Sequence, residues 1–224
     1  MDYLSFREDF LENLKVMSRT ANSILDLSSS ETKSESMETQ DADIAKKHLD
    51  ENIEKALILI YENRYKKFSS EEELGNFILQ IAECTNSGIV KPDKLFRSGA
   101  DSTQFPYAKI KDLKELWAWF CRELFHMLAE TGKDPVEVAA FAEYFINRRG
   151  HFFSDGCGKI AMLISSFILI RNDMNIPKYR SREEYYSTAE TKNIPTIEHP
   201  MEEDAFQTFL KYYKSLFKKD KLTN

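Results

Sequence analysis

The chain has 224 residues, of which 42% are hydrophobic and 30% are charged. This is the profile of one large globular domain, and it excludes a disordered or fibrous chain. The formal net charge is −6, with 31 Lys and Arg against 37 Asp and Glu. We therefore expect no nucleic-acid partner, since sequence-independent binding needs clustered cations.

The cysteines and the apolar runs indicate the compartment. Cys84, Cys121 and Cys157 are odd in number and form no C-x-x-C pair, which argues against a disulfide framework or a structural zinc site. The start of the chain has no basic region followed by an apolar stretch. The longest uncharged run, Ile160 to Ile170, is shorter than the roughly 20 residues that cross a bilayer and predicts a buried helix. We expect a cytoplasmic protein with no membrane partner; a secreted effector is the open alternative.

In the N-terminal half, helical spacing dominates. An amphipathic helix is predicted from Phe10, Leu11, Leu14 and Met17. The polar, acidic stretch from Ser28 to Asp43 predicts a mobile connection. A second helix follows from about Ile44 to Tyr65, and the Ser70 and Glu73 pair predicts the capped start of a third, which ends at Asn86 to Gly88.

The pattern breaks between Ile89 and Ile110, where the alternation of Thr103, Phe105 and Tyr107 predicts a short exposed hairpin or an extended loop. A helix then runs to a stop at Gly132, and Asp134 before Pro135 predicts the start of another that continues to Gly150. We further predict a helix from about Gly158 to Arg171, an irregular segment ending in "REEYYS", and a last amphipathic helix with Phe206, Phe209, Leu210, Tyr213 and Phe217.

The stretch "HFFSDGCGK" contains the residues on which the functional prediction depends. Gly156 and Gly158 allow consecutive backbone amides to line one concavity at the start of an apolar helix, which is a phosphate-binding arrangement. Asp155 beside it favours a Mg²⁺ ion that bridges the carboxylate and phosphate oxygens. Lys159 adds a positive charge, and His151 is a base of suitable intrinsic pKa.

This stretch resembles the signature of the Fic family (the Fic/Doc superfamily), H-x-F-x-[DE]-G-N-G-R-x-x-R. His151, Phe153, Asp155, Gly156 and Gly158 stand at the matching places. The preceding "AAFAEYFINRRG" helix, the following "ISSFILIRND" helix with its "IP" turn, and "EYY" are also similar, so that the likeness runs from about residue 95 to 186. It implies a mainly α fold, a Fic-like helical bundle with a short β-hairpin flap. We divide the chain into an N-terminal helix and acidic linker (1–43), a Fic-like core (44–190) and a C-terminal helical extension (191–224).

The resemblance also implies a function: a Mg²⁺-dependent protein adenylyltransferase that moves AMP from ATP to a Ser, Thr or Tyr hydroxyl of a target protein. His151 would be the catalytic base and Asp155 the metal ligand, and the residues from Gly156 through Cys157 and Gly158 to Lys159 would bind the nucleotide phosphates. Phe153 would be a buried anchor. Thr103, Phe105 and Tyr107 would form the flap that docks the target by strand addition.

Three motif positions depart from the family pattern: Cys157 replaces Asn, Lys159 the first Arg and Met162 the second. Lys keeps the charge but loses the bidentate fork, and Met162 removes the expected contact to the γ-phosphate. Two alternatives therefore stay open, a nucleotide- or protein-binding protein without catalysis and a transferase of another phosphate-linked group. Cys157 itself is either an activated thiolate or, as we favour, a small filler.

Two further features concern regulation and the nucleobase. The inhibitory motif of many relatives, [ST]-x-x-x-E-[GN], has no intact copy: Ser34 and Glu38 have its spacing but Thr39 follows, and "SRTANS" places Asn22 where Glu would stand. Tyr185 and Tyr186 either line the nucleobase or pack in the core. The sequence leaves oligomerisation open.

Overall fold

The computed structural model describes residues 1–17, 36–39 and 41–217. Within these residues the chain is mainly helical, which confirms the predicted fold class. Its α-helices are α1 (Tyr3–Met17), α2 (Ala42–Glu62), α3 (Glu71–Asn86), α4 (Leu113–Ala129), α5 (Pro135–Tyr144), α6 (Cys157–Ile170), α7 (Arg182–Thr188) and α8 (Glu203–Ser215), with short 3₁₀ turns at Pro92–Lys94 and Ile110–Asp112.

The helix starts follow the capping signals of the sequence. Ser70 accepts a hydrogen bond from the amide of Glu73 at the start of α3. Asp134 accepts one from the amide of Val136 at the start of α5. Pro135 follows it and has no N–H that would need a hydrogen-bond acceptor. Each cap satisfies an amide that the helix itself leaves unpaired, at a gain of about 1 kcal/mol.

Helix α6 forms the centre of the core. Its apolar run is buried on every side because α2, α3 and α5 all pack against it. The predicted buried helix is therefore confirmed. The segments predicted as terminal extensions contribute to the same core, through Phe6 and Phe10 of α1 and Phe209 and Tyr213 of α8. None of the helices in the described residues is long and apolar enough to cross a membrane.

One local prediction is wrong, and one buried residue was not predicted. The segment expected to be irregular contains helix α7, because Ser181 caps it by accepting from the amide of Glu184. On α1 the fully buried face includes Asn13, whereas Leu11 and Leu14 are only partly buried. The Asn13 side chain is buried because it donates to the Pro177 carbonyl, 2.7 Å away, and accepts from the Tyr179 amide at 3.0 Å.

Most of the predicted acidic connection, together with "SRTANS" and Ser34, lies outside the described residues. Its described end is packed: Met37 is buried and forms an antiparallel bridge with Val90. The Glu38 amide donates to the Ile89 carbonyl at 2.8 Å.

A six-residue π-helix, Phe145–Gly150, continues α5 and leads directly into the motif. The prediction of a helix up to Gly150 holds, but the last turn is wider than α-helical. Its two arginines are buried because their guanidinium groups donate to carbonyls of the C-terminal segment, Arg148 to Ala189 at 2.8 Å and Arg149 to Pro200 at 3.1 Å. Turns of this kind occur often at functional sites, since they change the direction in which the next residues point.

Candidate active site

The motif residues from His151 to Gly156 form a tight turn between the π-helix and α6. His151 has left-handed backbone angles, φ 43° and ψ 53°, a conformation that costs about 1 kcal/mol or more for a residue with a side chain. Gly150 is required before it, because a Cβ there would lie 2.4 Å from Cζ of the Phe152 ring. The backbone around His151 is thus held in an unfavourable conformation by the packing of its neighbours.

The imidazole of His151 is oriented by a hydrogen bond from Nδ1 to the Asn147 carbonyl, 3.1 Å away. A carbonyl can only accept, so the proton is assigned to Nδ1 and Nε2 keeps its lone pair. The pKa of His151 is lowered to about 4, mainly by burial and also by the charges of Arg97 and Arg148, against the opposing effects of the Asn147 bond and of Asp155. At neutral pH the ring is uncharged and can accept a proton at Nε2.

Gly156 is the residue at which α6 begins, and its left-handed φ of 75° suits glycine. No side chain caps this helix. The first helical hydrogen bond runs from the Ile160 amide to the Gly156 carbonyl, 2.9 Å away. Among the described residues we find no acceptor for the amides of residues 157–159, so they are available to an anion.

The two glycines of the motif differ in conformation, which corrects the expectation that both have special backbone angles. Gly158 lies in the first turn of α6, and a Cβ there would be 3.6 Å from Oδ1 of Asn147, an ordinary contact. Only Gly156 needs the freedom of glycine. The reason is that α6 starts at Cys157, one residue earlier than predicted.

We expect Gly156→Ala to lower the free energy of unfolding by about 1–2 kcal/mol, the cost of placing a side chain in the left-handed region. A Cβ at this position would also lie 3.2 Å from Oδ1 of Asn86. Gly158→Ala is the matched control, and its free energy of unfolding should be unchanged or higher. Urea unfolding of both variants measures the difference. Equal stability of the two would contradict the assigned turn.

Cys157 is buried, and its Sγ lies 3.3 Å from the Phe153 carbonyl as a weak donor. Burial raises the pKa of its thiol to about 12. The thiol therefore stays protonated at neutral pH, which favours the small filler over an activated nucleophile.

The remaining motif side chains lie at different depths. Asp155 and Lys159 are partly buried, while Phe153 and Met162 are buried. The Phe153 ring packs edge-on against Trp117. Within the part of the chain that the structure describes, no three His, Cys, Asp or Glu side chains are grouped so that they could hold a metal ion by themselves.

The predicted flap is an extended loop and contains no hairpin. Thr103 and Phe105 are exposed, Tyr107 is half-buried, and none of the three pairs with another strand. The backbone groups are satisfied in other ways: the Phe105 amide donates to Oγ of Ser102 at 3.0 Å, and the Tyr107 amide donates to the Phe105 carbonyl at 2.9 Å. Pro106 between them has no N–H to offer a partner strand.

Two residues of the site were missed by the sequence analysis. Arg97 donates from Nε to the His151 carbonyl, 3.0 Å away, and nothing in a single sequence marks it. Asn147 holds the imidazole through its carbonyl, and its side chain donates to the Tyr185 hydroxyl at 2.9 Å. Its position four residues before His151 is the one available signal, because such residues share a helix face.

Tyr185 and Tyr186, which were expected either to line the nucleobase or to pack in the core, differ in burial. Tyr185 is 1% exposed and contacts the core rings of Tyr179 and Phe209 edge-on, which favours packing. Tyr186 is half-buried and lies 5.2 Å from the Arg148 guanidinium and 4.3 Å from that of Arg182.

The architecture is similar to that of solved Fic-domain proteins. A Fic domain containing signaling protein from Bacteroides thetaiotaomicron matches with a TM-score of 0.66 and 17% sequence identity, over 95% of this chain and 84% of that one. A Fic family protein from Desulfovibrio desulfuricans G20 matches with a TM-score of 0.43 and 17% identity, over 93% of this chain and 64% of that one. No protein-family model matches the sequence, and no curated protein matches it. The first of these likenesses shows that the chain has the fold of Fic-domain proteins.

Proposed function

We propose that the chain is a Fic-type protein adenylyltransferase, which moves AMP from ATP to a Ser, Thr or Tyr hydroxyl of a target protein. The observation that carries the proposal is the pairing of His151 with the start of α6. A neutral imidazole with Nδ1 bound to the Asn147 carbonyl stands five residues before Gly156, the residue at the uncapped N-terminus of α6. A base beside an anion site is the combination that phosphoryl transfer to a hydroxyl requires.

In the proposed reaction, Nε2 of His151 takes the proton of the target hydroxyl while the hydroxyl oxygen attacks the α-phosphorus of ATP. The bond between that phosphorus and the oxygen leading to the β-phosphate breaks, and pyrophosphate leaves. The amides of residues 157–159 would donate to the phosphate oxygens on which negative charge develops. Lys159 would add a compact positive charge in the first turn of the helix.

Asp155 is the residue that would hold magnesium. Mg²⁺ binds to proteins through one or two carboxylates, together with substrate phosphates and water, so a single carboxylate beside the amides of α6 fits it. When bound, the ion would offset the negative charge of the phosphates.

Met162 supports a related second candidate, the transfer of a different phosphate-linked group. Its side chain is buried, so position 162 supplies no polar contact to a γ-phosphate. Selection of ATP over other donors that contain a diphosphate would then depend on Lys159 and the helix amides alone.

The three cysteines are free thiols, which supports a reducing compartment such as the cytoplasm for this reaction.

Incubation of the protein with α-labelled and γ-labelled ATP tests the proposed function. We expect covalent label on protein from the α-position and none from the γ-position, with Mg²⁺ present and not after chelation by EDTA. The chain itself and a lysate serve as acceptors. Label from the γ-position would indicate a kinase reaction instead. No label from either, with no thermal stabilisation by Mg²⁺ and ATP, would contradict the proposal and favour a binding protein without nucleotide chemistry.

A further inference from the structure

A stack of aromatic rings joins the extended loop to the motif. The Tyr107 ring lies parallel to the His151 imidazole, with 2° between the planes and 4.0 Å between the centroids. The Phe105 ring stacks in turn on Tyr107, at 5.3 Å and 25°. One face of the imidazole is therefore covered by a residue that stands 44 positions earlier in the sequence.

The backbone on both sides of the stack is tied together. Arg97 bridges the two segments, since Nε donates to the His151 carbonyl at 3.0 Å and Nη2 donates to the Ala108 carbonyl. The Ala108 amide donates to the Arg149 carbonyl at 2.9 Å. Ala108, which follows Tyr107, is thus hydrogen-bonded to Arg149, two residues before His151, and this restrains how the two rings meet.

The stack and the Nδ1 bond act on different degrees of freedom of the imidazole. The bond to the Asn147 carbonyl determines which nitrogen carries the proton. A ring packed flat on the face restrains the tilt of the imidazole plane. The Nε2 lone pair lies in that plane, so a ring stacked on the face does not cover it.

We propose that Tyr107 is a positioning residue for His151, which holds the imidazole plane so that Nε2 points at the acceptor hydroxyl. This inference rests on the proposed function. It gives Tyr107 a part in the alignment of the base, in place of the target docking that the family resemblance implies. This positioning role depends on the aromatic ring of Tyr107 and not on its hydroxyl, because only the ring can stack on the imidazole.

Comparison of Tyr107→Phe with Tyr107→Leu separates the ring from the hydroxyl. NMR of the His151 imidazole C–H signals, assigned by their loss in His151→Ala, reads the stack directly and needs no activity. A ring above the imidazole face shifts these signals upfield. We expect the shift to persist in Tyr107→Phe and to disappear in Tyr107→Leu. An unchanged spectrum in Tyr107→Leu would overturn the inference.

The second readout is the transfer of α-label from ATP to the chain itself. Tyr107→Leu should lower the maximal rate about 10- to 100-fold, the effect of a misaligned catalytic group, with the half-saturating ATP concentration unchanged. Tyr107→Phe should retain the rate of the unmodified chain. An equal loss in both variants would assign the effect to the hydroxyl and contradict positioning by the ring.

Tyr65→Leu is the control for the loss of a tyrosine. Tyr65 is exposed, and its hydroxyl donates to Asp173 at 2.9 Å; we expect neither the His151 signals nor the rate to change. Circular dichroism confirms that each variant is folded. If the unmodified chain transfers no label, the proposed function fails, whereas the NMR comparison still decides whether Tyr107 fixes the imidazole plane.

Discussion

His151→Ala is expected to lower the transfer of α-label from ATP by about 100- to 10,000-fold, the contribution of a well-placed general base. The reason is that Nε2 carries the free lone pair of the proposed base, and alanine leaves no group to take the hydroxyl proton. The rate is measured with the chain as its own acceptor at saturating ATP.

His126→Ala is the matched control, because it removes an exposed imidazole from the last turn of α4 and should leave the rate unchanged. Thermal stabilisation by Mg²⁺ and ATP should survive in His151→Ala, since the helix amides and Asp155 remain. Retention of a tenth of the rate or more in His151→Ala would argue against a base at this position.

The pH profile gives an independent check of the same group. A base works only while it is unprotonated, and burial lowers the pKa of His151 to about 4. The rate should therefore stay level between pH 7.5 and pH 6, where a histidine with the usual value of 6.5 would already lose much of its neutral form. A fall to half the rate near pH 6.5 would show that the surroundings of His151 do not lower its pKa.

Glu143→Ala is expected to lower the free energy of unfolding by about 3–5 kcal/mol, as the loss of buried hydrogen bonds and the new cavity add together. Glu143 is fully buried in α5 and accepts from Oγ of Ser165 at 2.6 Å and from the Tyr179 hydroxyl at 2.6 and 2.7 Å to its two oxygens. Alanine removes the acceptor of the Tyr179 hydroxyl and leaves the Ser165 hydroxyl with only the Met162 carbonyl, 3.1 Å away. Chemical denaturation at pH 7 measures the loss.

Glu143→Gln is the control that keeps the shape and an acceptor oxygen. Burial raises the pKa of Glu143 above its usual 4.5, against the hydrogen bonds that lower it. A carboxyl with a raised folded pKa stabilises the fold at low pH and loses that contribution as pH rises through the folded pKa. The stability of Glu143→Gln relative to the unmodified chain should therefore increase from pH 4 to pH 7. A decrease would show that the carboxyl is ionised and held by its hydroxyl donors.

The Glu143 network also reaches the candidate site. A hydrogen bond from the Tyr185 hydroxyl is one of those that lower the pKa of Glu143. The same hydroxyl oxygen accepts from the Asn147 side chain at 2.9 Å. The Asn147 carbonyl binds His151. Glu143, Asn147 and His151 follow one another at intervals of four residues, so one side of α5 and its π-helical continuation links the buried carboxyl to the base.

The local signals of the sequence predicted the helices well. Ser70 and Asp134 start helices where expected, since a cap involves only residues two or three positions apart. The candidate site from His151 to Lys159 could be proposed from the sequence for the same reason. An anion site at a helix start is built from consecutive residues. The one local signal that was missed is the cap at Ser181, which starts helix α7.

The sequence by itself thus determined a mainly helical chain and located the residues of the proposed base and anion site. Only the tertiary structure decided what surrounds the imidazole: the Tyr107 ring on its face, the Arg97 bridge to its backbone and the left-handed turn at His151. Capping and periodicity are set by near neighbours along the chain. Contacts between segments more than 40 residues apart depend instead on how whole elements pack, and no local pattern records that.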